Sequence, residues 1–106
     1  MYKSNKKGTG DKNLYILMKS PVKGKRFRII MEDHHHDFGS KDGKTFIDGR
    51  TEKEKEAWIS RHKNDKNYNS KHSGIYHSRK LLWEEPTLKG AIKKYEKEHG
   101  VKIKIE

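Results

Sequence analysis

Between Thr87 and Ile105 the apolar residues change period, and that change limits the folds open to this chain. Leu88, Ala91, Ile92 and Tyr95 stand at i, i+3, i+4 and i+7, one complete stripe of an α-helix, with Thr87 placed to cap it. Gly100 follows as a stop suited to left-handed geometry. Val101-Lys102-Ile103-Lys104-Ile105 then alternates strictly, as a strand with one buried face does, which predicts three aliphatics inward and two lysines outward. A helix handed straight to a strand calls for a mixed helix and sheet architecture. Only 29% of the 106 residues are apolar and 39% are charged, so one thin core that leans on aromatic side chains is expected.

The rest of the chain fits this reading. Leu14-Tyr15-Ile16-Leu17-Met18 predicts a buried strand, and Ser20-Pro21-Val22-Lys23-Gly24 has turn chemistry. Phe27, Ile29 and Met31 share one face of a second strand, paired with the first as an antiparallel hairpin. Phe38 opens a short third strand, Lys41-Asp42-Gly43-Lys44 turns, and Thr45-Phe46-Ile47 is expected to continue the sheet. Thr51-Glu52-Lys53-Glu54 is a capping box at the head of a helix running to about Lys63 or Lys66, with Trp58 and Ile59 inward. Ser78 to Trp83 reads as a short helix ended before Pro86. The expected fold is α+β: a small antiparallel sheet of three to four strands on two longer helices and one short one. Trp58, Trp83, Leu81, Leu82, Leu88, Ile92, Tyr95, Phe27 and Ile29 should form its core. A flexible basic arm is expected over 1–13 and a single domain over 14–106.

Charge is the other organising feature. The chain carries 26 Lys+Arg against 15 Asp+Glu, a formal +11. Residues 1–25 hold seven lysines and one acid, so the excess is concentrated at the leading end. Self-repulsion of this size is relieved by a polyanion, of which nucleic acid is the commonest. Lys23, Lys25, Arg26 and Arg28 cluster around the first hairpin. Lys89, Lys93 and Lys97 form an i, i+4, i+8 ladder on the last helix, flanked by Lys94 and weakened by Glu96 and Glu98. Arg61 lies on the first helix; Ser78, as a helix cap beside the guanidinium fork of Arg79, is an expected anion site. A structural role for Arg79, stacked on Trp83 or paired with an acid, is the competing reading. Lys102 and Lys104 on an edge strand also discourage aggregation, with no partner needed. Without a zinc finger, helix-turn-helix or RNA-recognition signature, such contacts would be sequence-tolerant and salt-dependent.

Asp33-His34-His35-His36-Asp37 invites a metal reading, since imidazole and carboxylate are good zinc or nickel ligands. Adjacent residues cannot easily wrap one ion, so a remote His62, His72 or His77 would have to complete the site. The reading preferred here is a solvated hairpin tip with no metal and no cofactor. His35, Asp37, Asn64, Asn67 and His72 supply residue types for a metal-dependent nuclease without a spacing that assigns one. No P-loop, dinucleotide fingerprint or nucleophile elbow occurs. Cysteine is absent, excluding disulfides and thiolate metal sites and fitting a reducing compartment. No apolar run nears the roughly 20 residues of a membrane span, and Leu14–Met18 is too short for a signal peptide, so a soluble chain, not conventionally secreted, is expected.

Several pieces recur in one order: Lys19-Ser20-Pro21 then Gly24-Lys25 before a strand; Asp37-Phe38-Gly39-Ser40; Trp58-Ile59-Ser60-Arg61-His62-Lys63; Gly74 then Ser78-Arg79 and Leu81-Leu82-Trp83; Pro86-Thr87-Leu88 and a final amphipathic helix. Over roughly residues 19–105 this resembles a family of small basic proteins encoded by large double-stranded DNA viruses of eukaryotes, from which the His34-His35-His36 stretch departs. The resemblance implies a virion or the interior of an infected cell. Two roles suit it: a non-enzymatic protein on nucleic-acid backbone, or a minor capsid protein whose basic arm threads between shell subunits.

Overall fold

Leu14–Lys19 (β1), Lys25–Ile30 (β2) and His35–Ser40 (β3) form an antiparallel meander in the computed structural model, which describes residues 8–106. Gly24, at φ 83, turns β1 into β2, and Ser20 N–H closes the hairpin on the Arg26 carbonyl at 3.1 Å. After β3 come α1 (Glu52–His62), α2 (Gly74–Ser78), α3 (Leu88–His99) and β4 (Lys102–Ile105). The sheet order is β3-β2-β1-β4.

The expected α+β fold is present, with one change: the sheet is mixed, because β4 lies parallel to β1. Direction explains it. Strand β3 runs the same way as β1 and ends at the far end of the sheet. Helix α3 leads back, Gly100 at φ 64 reverses the chain, and β4 rises beside β1, with Lys102 N–H on the Asn13 carbonyl at 2.8 Å. A parallel neighbour needs such a crossover.

Thr45–Ile47 does not continue the sheet. Phe46–Asp48 is a single 3-10 turn, because the Asp48 carboxylate accepts from both the backbone N–H (2.9 Å) and the hydroxyl (2.8 Å) of Thr45. The capping box at Thr51 forms as expected and starts α1. The short helix begins earlier than expected. Ser73 caps α2 by accepting from Tyr76 N–H, and Arg79–Trp83 then widens into a π turn closed by Glu84 N–H on the Arg79 carbonyl at 2.9 Å. Of the arm expected over 1–13, residues 1–7 lie outside the described residues. Thr9 and Gly10 donate to the carbonyls of Met31 (2.6 Å) and Glu32 (2.7 Å), which ties 8–13 to the chain leaving β2.

Tyr15 and Leu17, Ile29 and Met31, and Phe38 cover the inner sheet face, and Leu81, Leu82, Ala91, Ile92 and Tyr95 meet them from the helices. Of the expected core, Phe27, Trp83 and Leu88 pack only partly buried against this cluster. Trp58 is buried separately by stacking on Trp83, centroids 5.3 Å apart at 13°. Ile105 is 62% exposed rather than inward, since β4 is the sheet's outer strand. The partly buried His99 ring stacks on Tyr95 at the edge of the core, centroids 3.9 Å apart. His99 Nδ1 donates to the Tyr95 carbonyl (2.9 Å), so its Nε2 accepts from the Tyr76 hydroxyl (2.8 Å).

Gly39 sits at φ 79, where a Cβ would lie 2.9 Å from Leu82 Cδ1 and 3.2 Å from Arg26 Cβ. Gly39→Ala should therefore destabilise the fold by about 1–3 kcal/mol, from backbone strain alone. Leu81→Ala, at a side chain with no exposure, should cost about 2–5 kcal/mol. Urea unfolding of both variants checks these values.

Candidate functional site

The strand ends divide the candidate residues into two groups. One end of the sheet carries the close of β1, the start of β2 and the close of β3. The other carries the start of β1, the close of β2 and the start of β3.

At the first end the turn Ser20–Gly24 and the loop Lys41–Lys44 are joined by Lys41 N–H on the Gly24 carbonyl at 3.1 Å. Lys19, Lys25, Arg26 and Lys41 line a cleft of about 400 Å³ with Ser20 and Phe27. Beyond the loop, Lys44, Arg50 and Arg61 line a second cleft of about 300 Å³, with Glu54, Ala57 and Trp83. Pairing divides these cations sharply. Arg26 forks onto Asp48 (2.6 and 2.8 Å), its guanidinium 5.2 Å from the Phe27 ring centre, and Arg50 pairs with Glu54 at 2.8 Å. Lys19, Lys23, Lys25, Lys41, Lys44 and Arg61 have no ion pair among the described residues; Asp42 is the one acid in their loop. The Arg26 fork, more than any other contact, holds the Asp48 carboxyl well below the usual carboxylate range. Partial burial is the next largest influence and opposes it, and the two donors of Thr45 add to the lowering.

The remaining residues expected to meet an anion fall elsewhere. Arg28 pairs with Asp37 at 2.9 Å, and Ser20 Oγ donates to the same carboxylate at 2.6 Å. That pairing also removes Asp37 from any metal role. Ser78 is not a cap: it is buried inside the helical path and its side chain makes no cap bond. Arg79 is structural. It donates to Asn69 at 2.9 Å, lies 3.3 Å from Glu84, and sits 4.3 Å above the Tyr68 ring. Glu84 also meets Lys80 (3.4 Å) and Lys94 (3.2 Å). Burial alone would raise the Glu84 carboxyl; these three cations outweigh it and hold it low. Lys89, Lys93 and Lys97 are exposed along α3 without an ion pair among the described residues, and they line neither cleft.

The opposite end gathers histidines. His34 precedes β3, His36 lies on it, and His72 comes from the loop before α2. Helix α2 seats closely on β3: a Cβ on Gly74 would stand 3.0 Å from the Asp37 carbonyl oxygen. One ring nitrogen from each of His34, His36 and His72 falls within 4.8 Å of the others. Beneath them His77 is fully buried and stacks on His36, centroids 5.8 Å apart. Its Nε2 donates to the Lys71 carbonyl at 2.8 Å, and burial pushes its pKa down to about 3. The expected solvated hairpin tip is thus half-buried strand, and the remote residue that joins the run is His72.

Sequence reasoning missed Lys19, Lys41, Lys44 and Arg50 as members of one surface, because they come from the end of β1, the loop after β3 and the segment before α1. Residue type carried a usable signal: at this end the arginines of β2 are paired, while the lysines of the turns are not.

A family model described as a family of unknown function (DUF5754) matches residues 15–62, from β1 to the end of α1. That stretch contains both clefts' lysines and arginines but neither His72 nor α3. No curated protein and no solved structure matches the chain significantly. Among the described residues no helix is long and apolar enough to cross a membrane.

The depressed Asp48 carboxyl makes its pair a source of pH-dependent stability. That contribution is complete above the unfolded aspartate pKa of about 3.9 and is lost as pH falls from there toward the folded value. Asp48→Asn should lower the melting temperature at neutral pH, and the gap to the native chain should narrow as pH falls below about 4. Melting curves across that range test it.

Proposed function

We propose that the protein is a non-enzymatic binder of nucleic-acid phosphate backbone, indifferent to base sequence, and that the paired clefts at the Lys19–Lys25–Lys41 end of the sheet are its contact surface. One observation carries this reading. Asp48 and Glu54 are committed to Arg26 and Arg50, and Asp42 is the one other acid in the loop, which leaves Lys19, Lys25, Lys41, Lys44 and Arg61 without an ion pair among the described residues on the two concave surfaces, with Lys23 on the turn beside them. Concave surfaces of one sign focus potential and concentrate counter-ions. Lysine suits the task, as a mobile point charge that meets phosphate without demanding one geometry. Phe27 and Trp83, one in each cleft, offer apolar faces beside the cations, as surfaces for single-stranded nucleic acid do.

This narrows the wider set of contacts expected from sequence. Arg28, Ser78 and Arg79 leave the interface because internal partners or burial hold them. The α3 ladder is a second, separate basic surface. In the viral setting that the resemblance implies, a binder of this kind would accompany the packaged genome.

Gel-shift titration at increasing salt tests the reading. Affinity for duplex DNA should fall linearly on a log–log plot. The combined variant Lys25→Ala, Lys41→Ala, Lys44→Ala should reduce the slope by about 2–3, at roughly 0.9 for each phosphate left without its lysine. Absence of binding at low salt overturns the proposal. A larger loss from Lys89→Ala, Lys93→Ala, Lys97→Ala moves the interface to α3.

A further inference from the structure

We propose that His34, His36 and His72 form a three-imidazole site for one zinc-class divalent cation, with Asp33 orienting His34 from behind. The proposal is independent of the nucleic-acid reading, because β3 separates the two ends by roughly 17 Å.

The atoms that face one another are those a metal needs. Asp33 Oδ1 accepts from Nδ1–H of His34. That hydrogen bond fixes the tautomer and turns the bare lone pair of Nε2 outward, the carboxylate–histidine arrangement that supports metal-bound imidazoles. His34 Nε2 meets His72 Nδ1 at 2.6 Å. His36 Nε2 is buried with no hydrogen-bond partner, and an orphaned polar atom of this kind normally carries a desolvation cost. A cation on that nitrogen would remove the deficit. Two nitrogens on tetrahedral zinc, each about 2.0–2.1 Å from the metal, lie about 3.3 Å apart. The separations here, from 2.6 Å to an upper bound of 4.8 Å, bracket that value.

The surroundings hold the rings in place. His36 and His34 meet edge to face with centroids 5.3 Å apart, and His77 backs His36 from the core. The His72 loop is pinned by Ser73 Oγ, whose single proton is shared between the carbonyls of Asn67 (2.7 Å) and Ser70 (2.8 Å). To bind, His72 moves its ring proton from Nδ1 to Nε2, a tautomer change within an exposed imidazole that releases no proton. Three protein ligands leave a position for water or a small anion, toward a cleft of about 190 Å³ that Lys71 also lines. An all-nitrogen donor set favours zinc, nickel, cobalt or copper over magnesium and calcium, which take oxygen ligands.

Isothermal titration of the full chain with Zn²⁺ should give one site, undisturbed by excess Mg²⁺, and Zn²⁺ should raise the melting temperature. His72→Ala, at an exposed residue, should keep the metal-free melting temperature and weaken zinc binding about 100-fold or more. Asp33→Asn should weaken it about 10–100-fold, and His35→Ala should leave it within a few-fold. Failure of the native chain to bind zinc overturns the site. So does a pattern in which His35→Ala costs as much as His34→Ala while His72→Ala costs nothing, because the run of histidines would then be chelating locally.

Discussion

Burial of a single sheet face is the constraint on which the molecule depends. With apolar residues at 29% of the chain, there is material to line one interior surface, and the inner face of the sheet takes it. Leu81 and Leu82 close that interior from the helical side, both essentially without exposure. They stand in the π turn, whose two leading residues, Arg79 and Lys80, lie back over aromatic rings and the Glu84 carboxylate. The segment that supplies the most buried leucines is therefore also the one most densely tied by charge. Outside this layer, stability comes from partly exposed ion pairs such as Arg26–Asp48 and Arg28–Asp37, and these contribute modestly in water.

That division sets the character of the surface. Arginine is used mainly for planar, two-pronged contacts inside the molecule: Arg26 and Arg28 on carboxylates, Arg79 on an amide and over tyrosine. Many lysines are left outward. The consequence is a protein whose unpaired positive charge is not spread evenly but gathers around the β1–β2 and Lys41–Lys44 turns and on one side of α3. The histidines follow a different rule. His77 and His99 are committed to backbone carbonyls in or near the core, whereas His34, His36 and His72 direct nitrogens mainly at one another.

Elements whose signals are local were readable in the sequence. The Thr51 and Thr87 caps, the Leu88–Tyr95 stripe, the Gly100 stop and the β1–β2 hairpin each depend on residues a few positions apart, and each is present. Readings failed where a distant partner decides. Thr45–Ile47 has strand-like composition, but Asp48 folds it into a turn and Arg26, 22 residues away, holds Asp48 there. Ser78 has the composition of a cap, yet Ser73 takes that role and Ser78 is carried inside. His72, one of three remote histidines the sequence offered, joins His34 across 38 residues, and spacing alone could not single it out. The parallel setting of β4 required knowing at which end of the sheet the helical path delivers the chain.

The pairing of Leu14 with Lys102 bears on how this fold is reached. The hairpins of β1, β2 and β3 bring together neighbours in the chain and can form early, but the outer strand can dock only after every helix has been laid down. Loop closure over such a distance is entropically costly and slows folding. Until it is complete, β1 presents an open edge of unpaired backbone groups, the kind of edge that recruits other chains. Assembly should therefore be limited by this final closure, with self-association of the partly folded chain as its characteristic failure.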